Sequence, residues 1–339
     1  MLHELPSLEY VEAKRIEEAL GCLREYGQRA AVLAGGTDLI GLMKDRLEGL
    51  GFRNPEVLVG IRKIPKLGRI SFDKKGGITI GSAVTLSALG ASEGVREKFA
   101  ILAQASRQVA TTPLRNMGTV AGNLCQRPRC VYFRHPDFPC YKKGGKLCYA
   151  IKGEHRYYHS ILHYGRCVMA HPSDLAPALM ALKAEVILAG PEGEKQVPLQ
   201  DFFVGPNHLG ETILKEGEMV TAIRVPPPEG RLCQVFLKQR IRHASDFALA
   251  SVAAAARFSG PVCEELRIVL GGIAPFPVIA SEVGNLLRGK TMDEATVSSA
   301  AEASVEGARP LSMNGYKIDM VKALVKNALT SLGRQAREA

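Results

Sequence analysis

The chain has 339 residues, of which 46% are hydrophobic and 23% charged, as in a globular protein with room for one large or two to three ordinary domains. Its formal net charge is +10, but residues 125–167 hold nine Lys or Arg against two acids, so this segment alone carries +7. Because the basicity is confined to one segment, we do not expect a nucleic-acid-binding protein.

No segment has the pattern of a leader or a membrane anchor. The stretch MLHELPSLEYVEAKRIEEAL lacks a basic start followed by an apolar run, so we expect no signal peptide. No apolar run approaches the roughly 20 residues that a membrane span requires. We therefore expect a cytoplasmic protein, and export together with a partner that carries a signal peptide stays open. In the cytoplasm, clustered cysteines bind metals or do redox chemistry more often than they form disulfides.

The predicted elements mix helices and short strands. In chain order we expect a helix over 9–26, a strand over 30–36 ending in two glycines, the start of a helix over 37–47 and a strand over 56–61. A hairpin over 68–86, a helix over 92–110 and a second hairpin over 184–199 follow. The strand MVTAIRV stops at three prolines, which places a domain boundary near 225–230. Beyond it, SDFALASVAAAARF and MDEATVSSAAEASVEGA predict a smaller α+β domain with helices of small residues.

Five of the eight cysteines lie in the basic segment, which also holds six of the nine tyrosines. They are Cys125, Cys130, Cys140, Cys148 and Cys167, and most of their gaps exceed the two to four residues of a zinc knuckle. A thiolate-bound iron–sulfur cluster carries negative charge, which a segment of net charge +7 would offset. The residues alone therefore favour an iron–sulfur cluster, with zinc, disulfides or free thiols as alternatives. The other three cysteines (Cys22, Cys233, Cys263) are expected to be buried core thiols.

Two glycine-rich turns predict a site for a phosphate-bearing ligand. VLAGGTDLI over 32–40 joins a strand to a helix, and TTPLRNMGTVAGN over 111–123 alternates glycines with small or polar residues. Such turns expose backbone N–H groups and let the backbone approach an anion closely. Each turn taken alone is also consistent with ordinary turn chemistry, in which Thr37 or Asp38 caps a helix. The G-x-G-x-x-G and P-loop signatures are both absent.

Three motifs in this order resemble the FAD-binding subunit of the molybdenum hydroxylases, the relatives of xanthine dehydrogenase and carbon monoxide dehydrogenase: AGGTDL, RNMGTVAGN and HPSDLAPAL. The resemblance extends over nearly the whole chain. It implies an α+β fold, with a two-subdomain FAD-binding fold of the vanillyl-alcohol-oxidase type, a cysteine-rich insertion and a C-terminal α+β domain. The implied FAD-binding domain covers 1–228, with subdomains meeting near residue 60 and the insertion over about 124–168. The C-terminal domain covers 229–339.

The resemblance also implies the FAD-binding residues, because in this family the two turns hold the FAD pyrophosphate. The first turn would contribute Leu33, Ala34, Gly35, Gly36, Thr37 and Asp38. The second would contribute Asn116, Gly118, Thr119, Gly122 and Asn123. The aspartate of the PSD motif lies close to the flavin in this family, so that Asp174, with Lys238, joins the implied site. A carboxylate repels phosphate, and we therefore expect Asp38 to cap a helix or to contact a neutral part of the ligand.

One branch of the family, which resembles 4-hydroxybenzoyl-CoA reductase and the bacterial aldehyde oxidoreductases, carries a [4Fe–4S] cluster in an insertion at this point. RCVYFR, PCYKKGGKLC and RCVMAHPSD resemble the ligand segments of that branch. They imply Cys130, Cys140, Cys148 and Cys167 as the cluster ligands and leave Cys125 spare. The spacings look closer to the aldehyde-oxidising members than to the benzoyl-CoA members.

The implied function is that of an oxidoreductase subunit that relays electrons through FAD and the cluster and has no substrate-oxidising residue of its own. A large molybdenum-cofactor subunit and a small [2Fe–2S] subunit would complete the complex, as a dimer of heterotrimers. Ferredoxin, NAD or a quinone would exchange electrons with it, and Lys142, Lys143 and Lys146 would attract an acidic ferredoxin. Two alternatives are a stand-alone FAD oxidoreductase and a flavoprotein with a structural zinc loop. The sequence leaves the substrate open.

Overall fold

The computed structural model describes residues 4–338, which form three β-sheets with helices packed on them. The first unit is built from β1 (Glu9–Glu12), α1 (Ile16–Tyr26), β2 (Ala30–Leu33), α2 (Leu39–Lys44) and β3 (Val57–Gly60). Its three strands are parallel in the order β1-β3-β2. The predicted helix over 9–26 is wrong at its start, because residues 9–12 pair with β3 and the helix begins at Ile16.

The second sheet is antiparallel, in the order β4-β5-β8-β6-β7. Its elements in chain order are β4 (Ile70–Phe72), β5 (Ile78–Gly81), α3 (Leu86–Ala91), α4 (Glu93–Lys98), α5 (Ala100–Gln108), α6 (Thr112–Met117), α7 (Val120–Leu124), α8 (Val131–Arg134), α9 (Leu175–Ala181), β6 (Glu185–Gly190), β7 (Gly193–Pro198), α10 (Leu199–Phe202) and β8 (Met219–Val225). Both predicted hairpins are confirmed, as β4–β5 and β6–β7. The helix predicted over 92–110 is split into α4 and α5 at Phe99, whose ring is buried in the core.

The cysteine-rich insertion packs on the loop that joins α2 to β3. Helix α8 and several short helical turns make up much of its regular structure. A Cβ atom added at Gly49 would lie 1.9 Å from the carbonyl oxygen of Lys143, and one added at Gly51 would lie 2.0 Å from that of Lys142. Only glycine therefore allows this close approach of the two backbones.

The third sheet is antiparallel, in the order β12-β11-β10-β9. Its unit consists of β9 (Cys233–Gln239), β10 (Ala250–Ser259), β11 (Val262–Gly271), β12 (Val278–Ile279), α11 (Ser281–Leu287), α12 (Glu294–Ala303) and α13 (Lys317–Arg337). The prediction of a small-residue helix in SDFALASVAAAARF is wrong, since this stretch contains strand β10. In β10, Ala253 and Ala255 join the core that holds α5 and α9, while Val252 and Ala254 join the core that holds α13. Both faces are buried, so the strand shows no alternation of polar and apolar residues.

The predicted helix in MDEATVSSAAEASVEGA is confirmed as α12, capped by Asp293, whose carboxylate accepts from the Thr296 N–H at 2.8 Å. Within residues 4–338, no helix combines the length and the apolar character needed to cross a membrane.

Candidate cofactor sites

The first glycine turn connects β2 to α2. Gly36 adopts a left-handed conformation with φ of 69°, which glycine tolerates without strain. A Cβ atom on Gly35 would lie 2.0 Å from the carbonyl oxygen of Met117, so the first turn packs directly against the second. Within residues 4–338, the backbone N–H groups of Gly35, Gly36 and Thr37 meet no hydrogen-bond acceptor. These three donors are therefore available to an anionic ligand.

The second turn lies beside the first, where α6 ends and α7 begins. Thr119 is the N-cap of α7, and its Oγ1 accepts a hydrogen bond from the Gly122 N–H at 3.2 Å. The Ala121 N–H donates to the Ser82 carbonyl at 3.2 Å, which holds the turn against the second sheet.

The two turns line one cleft with a volume of about 300 Å³. Eight of the thirteen predicted FAD-binding residues face it: Leu33, Ala34, Gly35, Gly36, Thr37, Asp38, Thr119 and Gly122. Residues that the sequence did not assign to the FAD site complete the lining, among them Cys125, Arg127 and Glu218. The cleft is within the size range of cofactor sites, and its glycines and free N–H groups fit a pyrophosphate.

The other five predicted residues lie outside the lining of this cleft. Asn116 accepts a hydrogen bond from Ser87 at 2.5 Å, and Gly118 lies behind Thr37. Asn123 Oδ1 accepts from Ser173 Oγ at 2.6 Å and from the Leu175 N–H at 3.4 Å, so it fixes the HPSD segment. Asn116 and Asn123 thus bind neighbouring segments of the protein, and Gly118 packs against the first turn.

Asp174 and Lys238 form a buried ion pair, with Lys238 Nζ 2.5 Å from Asp174 Oδ2. Burial raises the pKa of the Asp174 carboxyl, and the Lys238 ammonium opposes that rise. The second carboxylate oxygen, Oδ1, is buried without a hydrogen-bond partner among the described residues. Buried acceptors of this kind usually have a hydrogen-bond partner. Asp174 Oδ1 can therefore accept a hydrogen bond from a ligand or a water.

Asp38 connects the first turn to the insertion. Its carboxylate accepts a hydrogen bond from the Arg127 N–H at 2.7 Å and lies 2.8 Å from the Arg129 guanidinium and 2.6 Å from that of Arg134. It occupies the N-cap position of α2, but its side chain makes no capping hydrogen bond. The expectation that Asp38 acts as a cap is therefore wrong, because the arginines of the insertion bind its carboxylate.

Four of the five clustered cysteines surround a second, narrower cavity inside the insertion. They are Cys130, Cys140, Cys148 and Cys167, and Tyr132, Phe133, Tyr141, Lys142 and Tyr149 also line the cavity. Cys125 faces the glycine-turn cleft instead, and burial raises its pKa to about 12. Among residues 4–338, no group of three Cys, His, Asp or Glu side chains is arranged to hold a single metal ion. The four sulfurs are thus distributed around a common space and do not converge on one point, as a tetrahedral zinc site would require.

Two of these thiols already have polar neighbours. The thiols of Cys148 and Cys167 interact closely, and the interaction with Cys167 holds the pKa of Cys148 below its ordinary value. The Nε2 atom of His159 lies 3.3 Å from Cys130 Sγ, and burial lowers the pKa of His159 to about 4. A neutral His159 can therefore donate this N–H to the sulfur of Cys130.

The proposed docking role of the lysines is wrong for two of the three. Lys142 and Lys143 are 1% and 3% exposed, and both side chains are bound inside the protein. Lys142 Nζ donates to the Gly210 carbonyl at 2.9 Å and lies 3.3 Å from Glu211 Oε1, and Lys143 Nζ donates to the His135 carbonyl at 2.5 Å. Lys146 alone is exposed. The net charge of +7 predicted the electropositive surroundings of the cysteines but did not distinguish buried from exposed lysines.

Comparison with known proteins identifies the domains. Residues 6–228 match the family model described as the FAD binding domain in molybdopterin dehydrogenase, and residues 235–332 match the CO dehydrogenase flavoprotein C-terminal domain. The aldehyde oxidoreductase FAD-binding subunit PaoB of Escherichia coli (strain K12) is 34% identical, with 94% of this chain and 96% of that protein covered. The carbon monoxide dehydrogenase medium chain of Hydrogenophaga pseudoflava is 28% identical, with 96% and 97% covered.

A solved structure agrees with these sequence matches. The structure of carbon monoxide dehydrogenase from Hydrogenophaga pseudoflava that lacks the Mo-pyranopterin moiety of its molybdenum cofactor includes a chain that superimposes with a TM-score of 0.78. The match is 26% identical and covers 98% of this chain and 99% of that one. The predicted α+β fold class, with an FAD-binding domain followed by a C-terminal domain, is confirmed: the chain combines helices and sheets and matches the carbon monoxide dehydrogenase medium chain over both domains.

Proposed function

The chain belongs to the FAD-binding subunits of the molybdenum hydroxylase family, and we propose that it relays electrons through FAD and a [4Fe–4S] cluster held in its insertion. As a family member it is a subunit of an oxidoreductase and binds FAD. The cluster, its ligands and the route of the electrons are our proposal. The single observation that carries it is the convergence of Cys130, Cys140, Cys148 and Cys167 on one cavity, from which Cys125 is absent.

For FAD, we propose that the pyrophosphate lies between the two glycine turns. The free N–H groups of Gly35, Gly36 and Thr37 support this position, because they are unpaired donors at the edge of the cleft. Arg127 also lines the cleft and supplies a positive charge. We assign Asn116, Gly118 and Asn123 to the support of the turns, and Asp174 with Lys238 to the neighbourhood of the flavin.

For the cluster, the electrostatics of the insertion support the assignment of the four cysteines. A [4Fe–4S] cluster bound by four thiolates carries net negative charge, which must be offset when it is buried. Lys142 lines the cavity, Lys143 is buried beside it, and His159 has an N–H in reach of Cys130. Hydrogen bonds and nearby charges of this kind tune the potential of such clusters.

The chain would therefore act as a relay within a larger complex. Bound FAD exchanges either one or two electrons, which couples one-electron centres to a two-electron acceptor. Similar proteins are named as medium chains of carbon monoxide dehydrogenase, and we propose by analogy a large molybdenum-cofactor subunit and a small [2Fe–2S] subunit as partners. The external partner would be ferredoxin, NAD or a quinone. We divide the chain as expected from the sequence, at residue 228 and with the insertion over about 124–168.

Cysteine variants test the ligand assignment. Cys130→Ser should lower the iron content of the purified chain, whereas Cys125→Ser, the matched control in the neighbouring cleft, should leave it unchanged. The measurement is iron and acid-labile sulfide per chain after anaerobic purification, with the FAD content of each variant as a check of folding. Loss of iron in Cys125→Ser and retention in Cys130→Ser would overturn the assignment.

A further inference from the structure

One carboxylate lies between the two cavities and contacts a cation of each. Glu211 Oε2 is 2.5 Å from Arg127 Nε, and Arg127 lines the FAD cleft. Glu211 Oε1 is 3.3 Å from Lys142 Nζ, and Lys142 lines the four-cysteine cavity. Arg127, Glu211 and Lys142 thus form a continuous chain of charges from one cavity to the other.

Burial strengthens the electrostatic interactions among Arg127, Glu211 and Lys142. The side chains of Glu211 and Lys142 are each 2% exposed, and that of Arg127 is 17% exposed. Charges removed from water interact over longer distances because they are poorly screened. Two cations share one carboxylate, so that the group carries a net charge of +1 between the two sites.

Other contacts fix the three side chains in place. Arg127 donates to the Gly51 carbonyl at 2.8 Å and to the Leu209 carbonyl at 3.1 Å, and its guanidinium stacks on Phe133, which lines the cysteine cavity. Lys142 donates to the carbonyl of Gly210, directly before Glu211. The two carboxylates of the cleft have their own cations: Asp38 is bound by Arg129 and Arg134. Glu218 is paired with Lys195 at 2.7 Å. Glu211 is therefore the acidic partner of both Arg127 and Lys142.

We propose that Glu211 is a positioning residue that sets the reduction potentials of the flavin and the cluster together. The inference rests on the proposed function, since it requires both cofactors. Reduction adds negative charge to either cofactor, and a nearby cation favours that reduction. The Glu211 carboxylate opposes the reduction of both cofactors, because it offsets Arg127 beside the FAD cleft and Lys142 beside the cysteine cavity. Replacing the carboxylate with a neutral amide leaves Arg127 and Lys142 unopposed. Both cofactors then become easier to reduce.

The test is Glu211→Gln in the full chain loaded with FAD and iron–sulfur cluster, with both midpoint potentials measured by spectroelectrochemistry. We expect both potentials to shift upward. Glu265→Gln is the control: Glu265 is ion-paired with Lys183 and lines a surface pocket away from both cavities, so both potentials should stay unchanged.

A second variant keeps the inference testable if Glu211→Gln alone folds poorly. Glu211→Gln combined with Lys142→Met keeps the net buried charge at +1. In this double variant the cluster potential should return towards the wild-type value while the flavin potential stays raised. Unmoved potentials, or a shift at one cofactor alone in Glu211→Gln, would overturn the inference. Wild-type protein without iron would instead overturn the cluster itself, and the inference with it, so the two failures are distinguishable.

Discussion

Lys238 donates a hydrogen bond to Asp174 across 2.5 Å, and the two side chains are 1% and 3% exposed. The pair joins the C-terminal sheet to the HPSD segment of the FAD-binding domain, since Lys238 lies in β9 and Asp174 precedes α9. It therefore fixes the docking of the two domains beside the proposed flavin position.

Removing the lysine should be costly, because it leaves the Asp174 carboxylate buried without a counter-ion. For Lys238→Met we expect a loss of about 3–5 kcal/mol in the free energy of unfolding. Lys183→Met is the control, since its partner Glu265 is 31% exposed and such a surface pair contributes about 0–1 kcal/mol. Urea unfolding of both variants measures the difference. Equal losses would show that the buried pair has no special role.

The packing of the two glycine turns predicts a loss of flavin in Gly35→Ala. The new methyl group would meet the Met117 carbonyl oxygen and force the turns apart. We expect the FAD content, read from the visible absorbance per chain, to fall severalfold. Gly21→Ala is the control, because nothing lies within 4 Å of its Cβ position in α1. That control should keep its FAD, and FAD retention in both would contradict the proposed pyrophosphate position.

The contacts of Asp38 predict that FAD binding and the insertion depend on each other. Asp38→Asn leaves Arg129 and Arg134, both partly buried, without their carboxylate. We expect a loss of at least about 2 kcal/mol in unfolding free energy, since hydrogen bonds to charged groups are among the stronger ones. Iron and FAD content should both fall. Asp73→Asn, in the β4–β5 turn far from the insertion, should leave both contents unchanged. Loss of FAD with full iron would disprove the coupling.

Lys317 predicts a pH dependence of stability. Its Nζ donates to the carbonyls of His159 and Gly272 at 3.1 and 3.0 Å, and burial lowers its pKa to about 7. The unfolded chain, with an ordinary lysine pKa near 10.4, then binds more protons than the folded chain between pH 7 and 10. The contribution of Lys317 to the free energy of unfolding therefore rises as the pH increases from 7 to 10. It is lost again as the pH falls back to 7.

The slope of stability against pH measures this contribution. Between pH 7 and 9 the free energy of unfolding should rise more steeply in the wild-type chain than in Lys317→Met. Lys326→Met removes an exposed lysine of the same helix and should keep the wild-type slope. Identical slopes in wild type and Lys317→Met would mean that Lys317 stays charged in the folded protein.

Local chemistry explains which parts of this molecule the sequence could predict. The turn at Gly35 and Gly36 was predictable, because left-handed backbone and close backbone contacts call for glycine whatever the rest of the fold does. Strand β10 was not, because its run of alanines is buried on both faces and has the composition of a helix. Only the packing of the C-terminal domain around this stretch decides between strand and helix.

The contacts between distant segments were the least predictable part of the site. Glu211 lies 84 positions beyond Arg127 in a loop without a motif, so nothing in its neighbourhood indicates a partner. The buried lysines of the insertion looked like surface charges for the same reason. The sequence predicted the positive charge of the segment, but which lysines are buried depends on the cavity that they surround.

The measurement that tests the central claim most directly is the iron, acid-labile sulfide and flavin content of the anaerobically purified chain. The account predicts about four iron and four sulfide per chain together with one FAD. Zinc without sulfide, or FAD without any metal, would contradict it and leave a flavoprotein whose insertion has another purpose.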